Sequence, residues 1–256
     1  MRVTVLASGS GGNACVVESG QTRVLVDAGL SARELERRMA ARGISAETIH
    51  GVFVTHEHND HSSGALVFSA RWDCPIFTTS GTAAALDLDG DLFSPFVRVE
   101  AGREGRVGSL DFRALAIPHD ANESVAYAFE DTSARLVVAS DLGRVQEDFL
   151  EFLRGATTLL LEFNHDEDML RDGPYTWPLK QRISGGWGHL SNRQSAEAVR
   201  RSSGPLLKRV LATHLSRTNN APPLALAALC EALERAGSAA SADVADQVAG
   251  FPPFDA

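Results

Sequence analysis

The sequence has few of the features that mark disulfide-bonded, secreted or membrane-spanning proteins. Its 256 residues include three cysteines, Cys15, Cys74 and Cys230, which lie far apart and form no CxxC motif. This usage argues against a disulfide framework and predicts a reducing, cytoplasmic environment. No apolar run approaches the ~20 residues of a membrane span, and the opening MRVTVLASGSGG lacks the apolar core of a signal peptide. We therefore expect no association with a membrane.

Positive charge is also scarce, with 24 Lys and Arg against 33 Asp and Glu and a net charge of −9. This balance argues against a nucleic-acid-binding surface that covers the whole protein. The deficit is uneven, however, because residues 176–217 contain eight basic side chains and one acid, which gives +7. The remaining 16 basic and 32 acidic residues give −16. Such asymmetry predicts a local anion-facing surface, although a solvated helix face has the same composition.

The 44% of hydrophobic residues fall into short strand-like and helical patterns. Apolar, β-branched runs bounded by turn residues predict strands, and the clearest are 3–6, 15–18, 24–27, 52–55 and 209–213. Capping-box sequences predict helices that begin at Ser31 and Ser191, and residues 224–236 predict an Ala/Leu-rich helix. Residues 172–188, rich in Gly, Pro and Trp, predict a long loop. With no internal repeat or long linker, we expect one mixed α and β domain over residues 1–256.

The sequence HEHNDH places His56, His58, Asp60 and His61 within six residues, directly after the predicted strand 52–55. Alternate residues of an extended chain point the same way, so the first two histidines can share one metal ion. The following turn can direct the aspartate and the third histidine at a second ion. Imidazole suits zinc, and carboxylate admits manganese. The alternative, a solvent-exposed polar turn, needs no metal, whereas burying these groups without ligands would cost several kcal/mol.

Three more polar side chains follow apolar strand-like runs, namely His119, Asp141 and His214. Taken singly, each pattern is typical of a hydrogen-bonded residue at a strand end. Taken together with HEHNDH, they indicate a metal site at the rim of a sheet. Asp87–Asp91 has acid spacing similar to a calcium loop, but its glycine stands at the fourth position instead of the sixth, which argues against one.

This pattern of HxHxDH after a strand, an earlier strand-end Asp27 and later strand-end His, Asp and His resembles the metallo-β-lactamase superfamily. Further stretches resemble its bacterial YycJ/WalJ-type branch, metal-dependent hydrolases reported as DNA exonucleases: SGSGGN at 8–13, residues 161–183, GHLSN at 188–192 and THLSRTNNAP at 213–222. The resemblance covers nearly the whole chain. It implies an α+β fold, a four-layer αββα sandwich of the metallo-β-lactamase type.

The resemblance also implies a dinuclear site that holds two divalent ions, zinc or manganese. One ion would be bound by His56, His58 and His119, and the other by Asp60, His61 and His214. Asp141 would bridge the two, and Asp27 would hold the histidine loop by hydrogen bonds from outside the ligand set. Two such ions ~3.5–4 Å apart can generate a hydroxide near neutral pH and stabilise the attacking and leaving oxygens of a phosphodiester. Asp60 is thus expected to be catalytic as well as a ligand.

His189 is the second residue that we expect to act in catalysis. It precedes the helix predicted to begin at Ser191, and a helix N-terminus favours anions. A histidine there can touch a phosphate oxygen or protonate a leaving oxygen, although it can also serve only to cap the helix. His165 is open to three interpretations: a role at the second metal, at the substrate or in loop structure.

Other polar and aromatic residues are expected around the site as outer-shell or substrate contacts. The polar ones are Ser8, Asn13, Lys180 and Arg182, whose cations would contact phosphates without reading base sequence. Tyr175, Trp177 and Trp187 can stack on bases or fill the edge of the core.

Three functions are compatible with the sequence. The best supported is an enzyme, a phosphodiesterase and exonuclease with nucleic acid as its substrate, DNA in preference to RNA. The alternative is a hydrolase of a small ester, thioester or lactam on the same metals, because a fold does not determine its function. The third is a non-catalytic regulatory or nucleic-acid-binding module, which would bind without forming product. The sequence leaves the oligomeric state open.

Overall fold

A computed structural model describes residues 1–88 and 95–256 of the chain. The chain divides into two compact units. Unit 1 comprises Met1–Ala116, Ala121–Ser133 and Asp246–Asp255, and unit 2 comprises Ile117–Asp120, Ala134–Ala245 and Ala256. The single domain over 1–256 stays a prediction. The rejected calcium loop extends past residue 88 and lies partly outside the described residues.

The main sheet of unit 1 has seven strands in the order β14-β1-β2-β3-β4-β5-β6. Their bounds are β1 Arg2–Ala7, β2 Ala14–Ser19, β3 Thr22–Val26, β4 Val52–Phe53, β5 Ile76–Thr78, β6 Phe96–Arg98 and β14 Phe251–Asp255. Pairing is antiparallel from β14 to β3 and parallel from β3 to β6. The carboxyl ends of the parallel strands therefore meet at one edge, which receives Asp27 and the HEHNDH loop. A second, antiparallel run consists of β7 Glu104–Val107, β8 Leu110–Ala116 and β9 Val125–Glu130.

The helices of unit 1 cover the main sheet with small apolar faces. They are α1 Ala32–Ala40, α2 Asn59–Ser62, α3 Ala65–Trp72 and α4 Ser80–Ala85, with a 3₁₀ turn at Ala46–Thr48. Leu35 and Met39 of α1 are fully buried in a core that includes Phe68 of α3. The predicted capping box at Ser31 forms only in part. Ser31 Oγ accepts from the Glu34 amide at 3.3 Å, but the Glu34 carboxylate pairs with arginines of the next turn.

Unit 2 is built on four parallel strands, β10 Arg135–Ala139, β11 Thr158–Glu162, β12 Arg209–Thr213 and β13 Ser241–Val244. β11 and β12 are almost wholly buried, as expected for parallel strands whose two faces are both covered. The helices are α5 Glu147–Leu153, α6 Glu167–Asp172, α7 Trp177–Ser184, α8 Asn192–Ser202 and α9 Pro222–Arg235. Within the described ranges, no helix has both the length and the apolar character required to cross a bilayer.

Two predicted segments of unit 2 have different outcomes. The capping box at Ser191 is confirmed, because its hydroxyl accepts from the Gln194 amide and the Gln194 side chain returns to the Ser191 amide. The long loop predicted over 172–188 is wrong, since residues 177–184 form α7. Pro178 lies in the first turn of this helix, where its missing N–H costs no hydrogen bond. No side chain of α7 is buried, so α7 is a surface helix.

Candidate metal centre

The HEHNDH motif brings three histidine rings together at the parallel edge of unit 1. The ring of His56 lies 4.7 Å from that of His58 and 4.3 Å from that of His61, centroid to centroid. Asp60 is on the same short helix, α2, with its carboxylate 3.7 Å from His61 Nε2. His56 and His61 are buried, whereas His58 and Asp60 are partly exposed. Unit 1 thus presents three imidazoles and one carboxylate within a single turn of chain.

Asp27 fixes the orientation of this loop from the end of β3. One carboxylate oxygen lies 2.7 Å from His61 Nδ1, and the other accepts from the Thr55 amide at 2.9 Å. An ionised carboxylate only accepts hydrogen bonds, so the proton of His61 is on Nδ1 and Nε2 keeps its lone pair. This is the form of imidazole that binds a metal ion. The backbone of Asp27 is left-handed, with φ +57°.

The loop 8–13 packs directly against the HEHNDH turn. Asn13 Nδ2 lies 2.9 Å from His61 Nε2 and 3.2 Å from the Asp60 carbonyl, and the Asn13 side-chain oxygen accepts from the Gly9 amide at 2.7 Å. Within unit 1, Asn13 is therefore placed to support His61. The substrate contact that the sequence predicts for Asn13 stays a prediction. Ser8 is 3% exposed.

Gly29 allows this loop to approach the metal-binding turn. A Cβ at position 29 would stand 1.7 Å from the Asp60 carbonyl oxygen and 2.7 Å from the Asn13 amide nitrogen. We expect Gly29→Ala to displace the turn and to lower the free energy of unfolding by about 1–3 kcal/mol, roughly 2–12 °C in melting temperature. Calorimetry checks this, with Gly204→Ala as control because no atom lies within 4 Å of that added Cβ. Equal melting temperatures for the two variants would contradict the close approach.

In unit 2, the carboxyl edge of the parallel strands gathers four possible metal ligands. Asp141 follows β10, Glu162 ends β11, His214 follows β12 and His189 lies just before α8. One ligand atom from each lies within 4.8 Å of the others, so the group can hold a metal ion. Asp141 Oδ1 is 3.2 Å from His189 Nδ1 and 3.4 Å from His214 Nδ1. The donor set, two imidazoles and two carboxylates, fits zinc or manganese.

The backbone is left-handed at two of the four positions that supply these ligands. Asp141 and His214 have left-handed φ angles of +58° and +54°. Among the described residues, only five non-glycine residues have positive φ, and Asp27 is another of them. Each such conformation costs of order 1–3 kcal/mol and is typical of functional sites.

Glu162 is the residue of this cluster that the sequence interpretation missed. Its side chain is fully buried, with one oxygen 2.8 Å from His189 Nδ1 and the other accepting from the Leu142 amide at 2.8 Å. Burial raises the pKa of Glu162, but the hydrogen bond and charge of His189 outweigh it and lower that pKa. Burial likewise lowers the pKa of His189, and the carboxylates of Glu162 and Asp141 outweigh it and raise that pKa. Each residue thus favours the charged form of the other across a short hydrogen bond.

His119 lies at the same edge of unit 2. Its Nε2 is 3.3 Å from the Asp120 carboxylate and 4.0 Å from Asp141 Oδ1, and its Nδ1 is 3.2 Å from the Gly188 carbonyl oxygen. Burial lowers the pKa of His119 and keeps it neutral, the form that binds a metal. Its ring lies 5.4 Å from that of His189.

The cations of the basic window are largely engaged in ion pairs within unit 2. Arg182 pairs with Asp120 at 2.6 Å, and Lys180 donates to the Arg171 carbonyl at 2.6 Å. Four more arginines pair with acids that lie mostly outside the window: Arg193 with Glu167, Arg200 with Glu197, Arg201 with Glu147 and Arg209 with Asp243. Four acids from outside the window thus offset part of its +7, which reduces the weight of the predicted anion-facing surface.

Comparison with known proteins identifies the family of the chain. A family model described as "Beta-lactamase superfamily domain" matches residues 22–215. Exodeoxyribonuclease WalJ of Streptococcus pneumoniae is 33% identical over 228 residues, 88% of this chain and 85% of the relative. Exodeoxyribonuclease YycJ of Bacillus anthracis is 32% identical over 239 residues, 93% of this chain and 90% of the relative.

Solved structures show the same fold. The metallo-β-lactamase fold protein YhfI from Bacillus subtilis matches with a TM-score of 0.74 at 17% identity, covering 100% of this chain and 99% of that one. The predicted α+β fold of the metallo-β-lactamase type is thereby confirmed. The chain belongs to the metallo-β-lactamase superfamily and is a metal-dependent hydrolase.

Proposed function

We propose that this protein is a phosphodiesterase with a dinuclear metal site that shortens DNA from an end. The observation that carries the proposal is the unit 2 cluster, in which His189, 22% exposed at its side chain, stands beside the possible ligands Asp141 and His214. A partly exposed histidine in such a position can reach a substrate. The names of the two relatives, which match over most of their length, support DNA as the substrate.

The ligand assignment is part of the proposal. His56, His58 and His119 hold one ion, and Asp60, His61 and His214 hold the other, with Asp141 bound to both. Zinc and manganese both suit this mixture of imidazole and carboxylate. The cytoplasmic location predicted from the cysteines belongs to the same proposal.

The chain's own residues prepare the site for a phosphodiester. When bound, two divalent ions supply a nucleophile near neutral pH and offset the charge of the phosphate. Asp27 holds His61 as the tautomer whose Nε2 carries the lone pair. Glu162 holds a proton on His189 Nδ1, which directs Nε2 of that ring away from the carboxylate. From there, a protonated His189 donates from Nε2 to a phosphate oxygen or to the leaving oxygen.

The test pairs metal content with cleavage. Purified protein is analysed for zinc and manganese, then incubated with single- and double-stranded DNA and RNA of one sequence, labelled at either end. We expect about two ions per chain and stepwise shortening of DNA, faster than of RNA, which chelation abolishes and added metal restores. The label that is released first identifies the end from which the enzyme works.

Three outcomes would contradict the proposal in different ways. Two ions with intact DNA and RNA, and turnover of a chromogenic lactam or thioester, would favour the small-substrate hydrolase. Faster cleavage of RNA would keep the chemistry and change the substrate. Binding of nucleic acid with no product from any substrate would favour the non-catalytic module.

A further inference from the structure

A cavity of about 210 Å³ in unit 2 has no role in the metal chemistry described above. Its walls include His165 from the β11–α6 connection, Leu170 of α6, and Trp177, Lys180 and Ser184 of α7. Pockets for drug-sized ligands typically have 300–1,000 Å³. The cavity therefore suits a single ring system and is too small for a whole nucleotide.

His165 lines this cavity and carries a buried polar atom without a hydrogen-bond partner among the described residues. The residue is 2% exposed, and its Nδ1 has no hydrogen-bond partner among the residues that the structure describes. The backbone is firmly held, because the His165 carbonyl accepts from the Asn192 amide at 2.8 Å. Buried polar atoms are nearly always hydrogen-bonded, and an exception needs an explanation such as a ligand.

The other walls favour a flat, uncharged ligand over an anion. Leu170 is 4% exposed and Trp177 is 67% exposed, so an apolar floor meets an accessible aromatic face. The nearby cations are committed, since Lys180 donates to the Arg171 carbonyl and the Arg171 guanidinium pairs with Asp168 and Asp172. Glu167 adds a carboxylate to the lining, which further disfavours a phosphate.

The cavity is close in the chain to the unit 2 cluster. His165 lies three residues after Glu162, a distance of at most about 11 Å along an extended backbone. On the other side, Ser184 lies five residues before His189, and the Asn164 amide donates to the Leu190 carbonyl at 3.1 Å. A DNA strand held at the cluster places neighbouring nucleotides at this range, because phosphates of one strand in a duplex are spaced by 3.4 Å along the axis.

We propose that this cavity binds one unpaired base of the substrate strand, which stacks on Trp177 and hydrogen bonds at its edge to His165 Nδ1, an atom that a rotation of the imidazole ring brings to the cavity wall. The inference rests on the proposed function and adds to it a position at which a base, and not only the phosphate backbone, is held. Such a contact is tolerant of sequence, because every base has a π-face.

The test is an abasic scan. Single-stranded DNA hexamers, each with one abasic site at a successive position, are assayed with wild type, Trp177→Ala and Trp177→Phe. On the intact hexamer we expect Trp177→Ala to raise KM about 10-fold with little change in kcat, and Trp177→Phe to restore most of the affinity. At one position the abasic hexamer should show the same high KM with wild type and Trp177→Ala. Leu206→Ala, which removes another exposed apolar side chain of unit 2, is the control and should match wild type.

The outcomes separate this inference from the function on which it rests. If DNA is cut but the effect of Trp177→Ala is the same for every hexamer, the base pocket is wrong and the nuclease stands. A second measurement uses a double variant, Trp72→Phe with Trp187→Phe, in which Trp177 is the one tryptophan left of the chain's three. If inorganic phosphate quenches the fluorescence of Trp177 and a free nucleoside does not, the cavity is an anion site and the base pocket is wrong. If wild type neither binds nor cuts DNA, both fail together.

Discussion

Asp141→Asn is expected to remove bound metal and to lower DNA hydrolysis by more than about 100-fold. Mutating a residue that only hydrogen bonds to a metal ligand typically lowers metal affinity or activity by about 10–100-fold, so the loss of a ligand itself should cost more. Asp141 is 2% exposed, and its Oδ1 lies between the rings of His189 and His214. Asparagine keeps the shape of the side chain and tolerates the φ of +58°, so the substitution removes the negative charge and little else. Metal content by elemental analysis and kcat/KM on end-labelled DNA measure the two effects.

The matched control is Asp168→Asn in the same unit. The Asp168 side chain is 76% exposed and pairs with Arg171 at the surface, where such a pair contributes about 0–1 kcal/mol. We expect this control to keep wild-type metal content and activity. An Asp141→Asn protein that retained both ions and full activity would remove Asp141 from the ligand set. If circular dichroism shows that Asp141→Asn is unfolded, Asp141→Glu takes its place in the same assay. This variant keeps the charge and should retain part of the metal binding.

The strand ends of the site could be predicted because parallel strands give a simple rule. Asp27 in unit 1, and Asp141 and His214 in unit 2, each follow a buried apolar run, and the ends of parallel strands meet at one edge of their own sheet. What the sequence does not show is the left-handed backbone at each of these positions. Aspartate and histidine tolerate this conformation better than most residues, but nothing in their spacing predicts it.

Glu162 was missed because it looks like the last residue of an ordinary strand. The signal that could have found it is a carboxylate that closes the apolar run Thr158–Glu162, since a buried acid needs a partner. That partner, His189, lies 27 residues away, and only the fold brings the two together. The ion pairs that offset part of the charge of the basic window are also non-local, as with Arg201 and Glu147. Pairings of this kind depend on tertiary structure and leave no local periodicity.

His189→Ala is expected to lower kcat by about 10²–10⁴-fold, the usual contribution of a general acid or base. The ion pair with Glu162 keeps the ring positioned, and 22% of the side chain is open to a substrate. Because the proposed ligand set does not include His189, metal content should stay at the wild-type value. Single-turnover cleavage of end-labelled DNA, with elemental analysis of the same sample, checks both statements.

Loss of an ion from His189→Ala would instead make His189 a ligand, which the four-residue cluster also permits. Glu162→Gln separates the remaining roles, because Glu162 acts through His189 and is a positioning residue. We expect this isosteric change to lower kcat by about 10–100-fold, and the double variant to be no slower than His189→Ala alone, since residues that act as one unit are not additive. If the losses of kcat are additive, the Glu162 carboxylate contributes independently of His189. It would then act through its hydrogen bond from the Leu142 amide or as a metal ligand.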